Sequence, residues 1–366
     1  MLNYRSHAAL LLLVLGASAA HAVPVSGFSQ TTLQTNATDP DLVNPWGISF
    51  SPAGPFWISD NGTGKTTLYN SAGVKQGLVV SMPAGSEKLT GQVFNGSASF
   101  NSDLFIFATE NGTVSGWRGA LGTTAETLFT TAGAEYKGLA IATDKSTLYA
   151  ANFAAGTVDV YNSTGLTLSI SDATVPAGYA PFNIQNIGGK LYVTYALRGA
   201  TGDDVKGAGN GFVSVFDPVT GTFTRVISQG ALNSPWGLSI APIGFGSLGG
   251  DLLVGNFGDG AINAYDPVTG LLIGSLADPS AKPLSVDGLW GLSFGNGANG
   301  GLANSLYVTA GPNGETGGLF ARLDAVNIAE PSVLALLMAS VLMVGMCYRQ
   351  SPDGNNVNSE VLLARG

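Results

Sequence analysis

The stretch Asn44–Gly73, NPWGISFSPAGPFWISDNGTGKTTLYNSAG, reads as three short strands separated by turns. Gly47-Ile48-Ser49-Phe50 comes first and Phe56-Trp57-Ile58-Ser59 second. Thr67-Leu68-Tyr69 is third and runs into a Ser-Ala-Gly turn. The pattern returns five more times. First strands recur from Gly91, Gly138, Gly237 and Gly291, with a weaker copy at Asn183-Ile184-Gln185-Asn186. Second strands recur from Leu104, Leu148, Leu191, Leu252 and Leu306. Third strands recur from Thr113, Val158, Val213, Ile262 and Leu319. Two of the third strands end in the same tail, Asp217-Pro-Val-Thr-Gly221 and Asp266-Pro-Val-Thr-Gly270.

Units of roughly 45–55 residues with four antiparallel strands each have the length of propeller blades. The sequence therefore predicts an all-β, six-bladed β-propeller over residues 23–325. Residue types agree with that geometry. Blades are packed on both faces, so their middle strands read as near-continuous apolar runs. The innermost strands crowd an axis, and Gly47/Ser49, Gly138/Ala140, Gly237/Ser239 and Gly291/Ser293 keep one parity small. Phe28–Thr35 (FSQTTLQT) alternates as a strand before the first unit, whereas the sixth unit lacks a fourth strand. Pairing the two closes the ring and removes both free sheet edges.

The 366 residues are 45% hydrophobic and only 11% charged, with 52 glycines, which suits a turn-rich all-β protein rather than a disordered chain. A net charge of −9 provides no basic stripe, so nucleic acid is not an expected partner. Residues 1–22 read as a signal peptide: Arg5 precedes an apolar stretch from Ala8 to Gly16 and a small-x-small site at Ala20-His21-Ala22. At the other end, residues 326–332 form a linker containing Glu330-Pro331-Ser332. Residues 333–348 are almost wholly apolar and read as a transmembrane or sorting helix. Arg349 opens a polar tail, residues 349–366.

That order of Glu-Pro motif, apolar run and basic residue resembles the PEP-CTERM sorting signal of Gram-negative bacteria. The resemblance implies processing by an exosortase-type sorting enzyme and delivery to the cell surface or extracellular matrix. An uncleaved chain would stay on the periplasmic face of the inner membrane, held by its C-terminal helix. The PWGIS-type first strands and the segment GNGFVSVFDPVTG (209–221) also resemble a family of exported propellers carrying this signal. That family lends a fold and a location but no activity. More loosely, the units resemble NHL repeats.

The chemistry available is narrow. The two histidines, His7 and His21, fall in the signal peptide, and the single cysteine, Cys347, falls in the terminal apolar run. Residues 23–325 thus offer no imidazole or thiol, which excludes Ser-His-Asp and cysteine catalysis there, histidine-ligated zinc and disulfides. Gly291–Gly295 matches a nucleophile-elbow pattern, but it is a repeated innermost strand without a histidine partner.

What remains is a ring of polar turns between second and third strands: Asp60-Asn61, Glu110, Asn152, Asn256 with Asp259, and Asn313-Gly314-Glu315. In a propeller these share a face with the starts of the innermost strands, which places Trp46, Trp236, Trp290, Asn183 and Asp287 near them. Hard oxygen donors there suit Ca²⁺, and aromatic rings beside polar groups suit a sugar. Asx-Gly turns serve equally as hairpin chemistry. The longest loop on that face, Arg198–Asn210, carries Arg198, Asp203, Asp204 and Lys206 and is placed for a lid or partner contact. Two functions follow. One is a surface- or matrix-anchored binding or scaffold propeller for an extracellular polysaccharide or surface protein. The other resembles the calcium-dependent six-bladed lactonases, with Glu110, Asn152, Asn256 and Asp60 or Asp287 holding the ion.

Overall fold

The computed structural model describes residues 24–25 and 27–326, and the signal-peptide and sorting-signal segments lie outside them. Six antiparallel sheets are present. Blade one comprises Pro45–Ser49, Phe56–Asp60, Lys65–Tyr69 and Lys75–Ser81. Blades two to five begin with the innermost strands Leu89–Phe94, Tyr136–Ile141, Tyr179–Ile187 and Pro235–Ile240. Blade six begins with Leu289–Phe294. Each innermost strand packs against the next, and that of blade six returns to that of blade one. Helical structure among the described residues is limited to three short 3-10 turns, and no helix there is long and apolar enough to cross a membrane.

The ring closes as the sequence predicts. Phe28–Thr35 is the outermost strand of blade six, antiparallel to Leu319–Ala325, with Phe28 opposite Ala325 and Thr35 opposite Leu319. One feature was not anticipated from the pattern. Pro24–Val25 adds a short parallel strand to blade five, opposite Ser275 and Leu276, so a single N-terminal segment ties two blades together. Phe28 is buried and packs on Phe245 of blade five, with ring centroids 5.0 Å apart.

The second strands are buried throughout in blades one, two, three, five and six, as their apolar composition requires. The innermost glycines have a more specific cause. A Cβ on Gly91 would sit 2.2 Å from Leu139 N, and one on Gly237 or Gly291 about as close to a carbonyl of the next blade, at 2.6 and 2.5 Å. No side chain fits where neighbouring innermost strands approach so closely. Gly91→Ala is therefore expected to destabilise the fold by about 1–3 kcal/mol through overpacking, read as a fall in melting temperature. An unchanged melt would mean the ring can expand freely.

Blade four breaks the pattern. Asn183 stands where the others have glycine, and its Nδ2 donates to Trp236 O across the gap at 2.8 Å. The axis itself is nearly filled. A gap of about 30 Å³, lined by residues including Gly47, Gly91, Asn183 and Gly291, separates the two ends of the ring.

Candidate binding site on the upper face

The upper face carries the starts of the innermost strands and the turns between second and third strands. The residue preceding each innermost glycine, or Asn183, is Trp46, Thr90, Lys137, Phe182, Trp236 or Trp290 in turn around the ring. The sequence places the three tryptophans around the channel mouth, where they either face a ligand or wedge between blades. The structure shows them buried in the core of the ring. Trp46, Trp236 and Trp290 are 2%, 4% and 1% exposed and form one cluster with Phe153, Phe182 and Phe257.

Within it the rings form a stack. Phe257 lies 3.9 Å from Trp290, and Trp290 lies 3.5 Å from Trp46, both pairs nearly parallel. An ammonium caps each end. Lys206 Nζ sits 3.8 Å from the Phe257 centroid, and Lys137 Nζ sits 5.4 Å from that of Trp46. Trp236 stands edge-on to both tryptophans and donates its Nε1–H to Lys137 O.

Above the stack is a cavity of about 200 Å³ lined by Trp46, Phe182, Phe257 and Trp290 below and by Glu110, Lys137, Asp203, Asp204, Lys206 and Glu315 around it. A polar arc joins four blades along its edge. Glu315 accepts from Asn44 Nδ2 at 2.8 Å. Asn44 also donates to Asn61 Oδ1, and Asn61 Nδ2 reaches Glu110 at 3.3 Å. Glu110 in turn pairs with Lys137, which also holds Glu135 at 2.6 Å. Burial works against the Lys137 ammonium, but Glu110 and Glu135 outweigh it and raise its pKa. Burial pushes the Glu315 carboxyl up, helped by the nearby charge of Glu110, and burial likewise raises Asp204. Glu315 also holds a left-handed backbone, φ 68°, which costs a non-glycine residue on the order of 1–3 kcal/mol.

The expected site residues divide accordingly. The structure brings Trp46, Trp290, Glu110, Asp203, Asp204 and Lys206 to the cavity, and Asn61 to its edge. Arg198–Asn210 is tied down as a small hairpin, with Arg198 bridged to Asp204 and donating to Ala154 O. The remaining residues do not join them. Asp60 is fully buried, accepts from Thr67 at 2.7 Å, and has its pKa raised well up by burial. Asn152 donates to Asp159, and Asn256 donates to Asp259 and Ala231 O, so both stay within turn chemistry. Asp287 is exposed and caps Asn313 N. Asn183 lies on the axis beneath. The ligand set proposed for calcium is thus dispersed. Among the described residues no group of three or more His, Cys, Asp or Glu side chains is arranged to hold a metal ion.

Sequence reasoning missed Asn44, Lys137, Phe182 and Phe257. Lys137 did carry a signal: it is the one charged residue at a repeat position that elsewhere holds Trp, Phe or Thr.

No family model matches the chain. Among solved structures, a streptogramin B lyase superimposes with TM-score 0.53 at 12% identity, over 81% of this chain and 98% of that one. The virginiamycin B lyase of Staphylococcus aureus gives 0.51 at 13%, over 82% and 100%. At such identities the likeness concerns the fold alone. Sequence relatives are nearer. The uncharacterized protein L690 of Acanthamoeba polyphaga mimivirus is 31% identical over 287 residues, 70% of this chain and 74% of its own length. The uncharacterized protein R648 of the same virus is 35% identical over 291 residues, 72% of each chain. On that likeness the chain belongs to the same family as the mimivirus proteins R648 and L690.

Proposed function

We propose that this is an exported propeller that binds a single glycan unit in the upper cavity. The observation that carries the reading is the aromatic stack roofed by carboxyl groups. The edges of that stack give the cavity an apolar floor, and Glu110, Glu315, Asp203 and Asp204 suit the hydroxyls of a sugar. A space of about 200 Å³ is below the roughly 300–1,000 Å³ of sites for drug-sized molecules, which favours one ring over a long segment. Catalysis is less well supported. A histidine-to-alanine variant of the S. aureus lyase is described as catalytically inactive, and this chain has no histidine beyond His21. The calcium-dependent hydrolase reading lacks a converged ligand set.

Location belongs to the same proposal. Residues 1–22 direct export, and Glu330-Pro331-Ser332, the apolar run and Arg349 direct sorting by an exosortase-type enzyme to the surface or matrix. A panel of neutral oligosaccharides titrated into the full chain tests the binding, with tryptophan fluorescence as readout. Binding should shift the emission of the stacked tryptophans, and Glu315→Gln should weaken it roughly ten-fold by removing a charged acceptor. A folded chain that responds to no sugar, or a native chain recovered from the cytosol on cell fractionation, would sink the respective half.

A further inference from the structure

The opposite end of the ring holds a larger cavity that the upper-face reading leaves unused. It has a volume of about 500 Å³ and lies where the innermost strands of blades one to four end. Phe50 and Phe94 form aromatic walls, and Gln92, Lys145, Gln185 and Asn186 supply the polar groups. Three features set its chemistry.

First, its charge is a single cation. Lys145 is the one charged side chain in the lining, and among the described residues it makes no ion pair. The neighbouring Asp144 turns its carboxylate to Ser146 instead. Lys145 also sits in the left-handed region, φ 62°, a position a lysine does not hold without cost.

Second, two acceptors behind its wall have nothing to accept from. Gln92 is 6% exposed and its Nε2 is fixed on Gly47 O at 2.8 Å and on Trp57 O. That leaves Gln92 Oε1 buried with no hydrogen-bond partner, and Ser49 Oγ is in the same condition. Both atoms are closed to solvent, so they leave the wall electronegative without meeting a ligand themselves. Third, Gln185 lines the cavity with a carboxamide that makes no hydrogen bond to the described residues, whereas Asn186 is fixed on Ile141 O at 2.8 Å.

We infer that the lower mouth is a second binding site, for a monoanionic polyhydroxylated ligand of the uronic acid type. One ammonium matches one carboxylate; a dianionic phosphate would leave a charge unpaired beside apolar walls. The Gln185 carboxamide takes hydroxyl groups, and Phe50 and Phe94 take the apolar face of the ring.

The test is calorimetric titration of the full chain with glucuronate and galacturonate, set against glucose, a uronate methyl ester and inorganic phosphate. The free uronates should bind at least roughly ten-fold tighter than glucose or the ester. Lys145→Gln should reduce them to the level of the neutral sugars, and Gln185→Ala should weaken them with the melting temperature unchanged. Glu315→Gln, on the upper face, should leave this binding intact, which separates the two sites. Equal affinity for ester and acid, indifference to Lys145→Gln, or tighter binding of phosphate would each overturn the assignment.

Discussion

A chain lacking residues 23–40 is expected to be recovered as aggregate or as unfolded protein. The deletion removes the entire outer strand of blade six and leaves the edge of Leu319–Ala325 unpaired, an open template for other chains. It also removes Phe28 from the core between blades five and six. Truncating a buried phenylalanine alone costs about 3–5 kcal/mol, against a total stability of about 5–15 kcal/mol for an ordinary domain. Phe28→Ala should therefore remain soluble with a clearly lowered melting temperature, while the deletion should not fold. Size-exclusion chromatography and circular dichroism decide between them. A soluble deletion product melting like the native chain would refute ring closure.

Lys137→Met is expected to cost about 2–4 kcal/mol, within or just below the range for breaking buried ion pairs. Lys137 is 5% exposed, and loss of its ammonium leaves Glu110 and Glu135 without a counter-charge. Both carboxylates are about a quarter exposed, at 24% and 25%, so water relieves part of the penalty. The triple variant Lys137→Met/Glu110→Gln/Glu135→Gln should recover most of the loss, because it removes the stranded charges too. Denaturant unfolding measures both. If the triple variant is no better than the single one, packing over Trp46 rather than charge accounts for the cost.

The sequence made the blades legible because each is a local object. PWGIS, PWGLS and LWGLS mark innermost strands, and Asx-Gly turns mark hairpins, all within a few residues. The pairing of FSQTTLQT with the last blade was also legible, since a missing fourth strand has only one remedy. The site was less so. Turn residues such as Asn152 and Asn256 look like ligands in a sequence, yet their side chains satisfy their own hairpins. Conversely, the arc from Glu315 through Asn44 and Asn61 to Glu110 joins groups from three blades. No periodicity encodes which blade's carboxamide meets which carboxylate. The burial of the tryptophans follows from the same cause, since a ring's width at its axis depends on all six sheets together.

The pairing of Thr31 with Arg322 spans 291 positions of chain, 322 minus 31. The strand Phe28–Thr35, made early, thus finds its partner only when nearly all the rest has been made. Until then the nascent polypeptide keeps one sheet incomplete, and closing so distant a contact is slow. Such a chain gains its full cooperativity in a single late step, once nearly all of its length is available to fold.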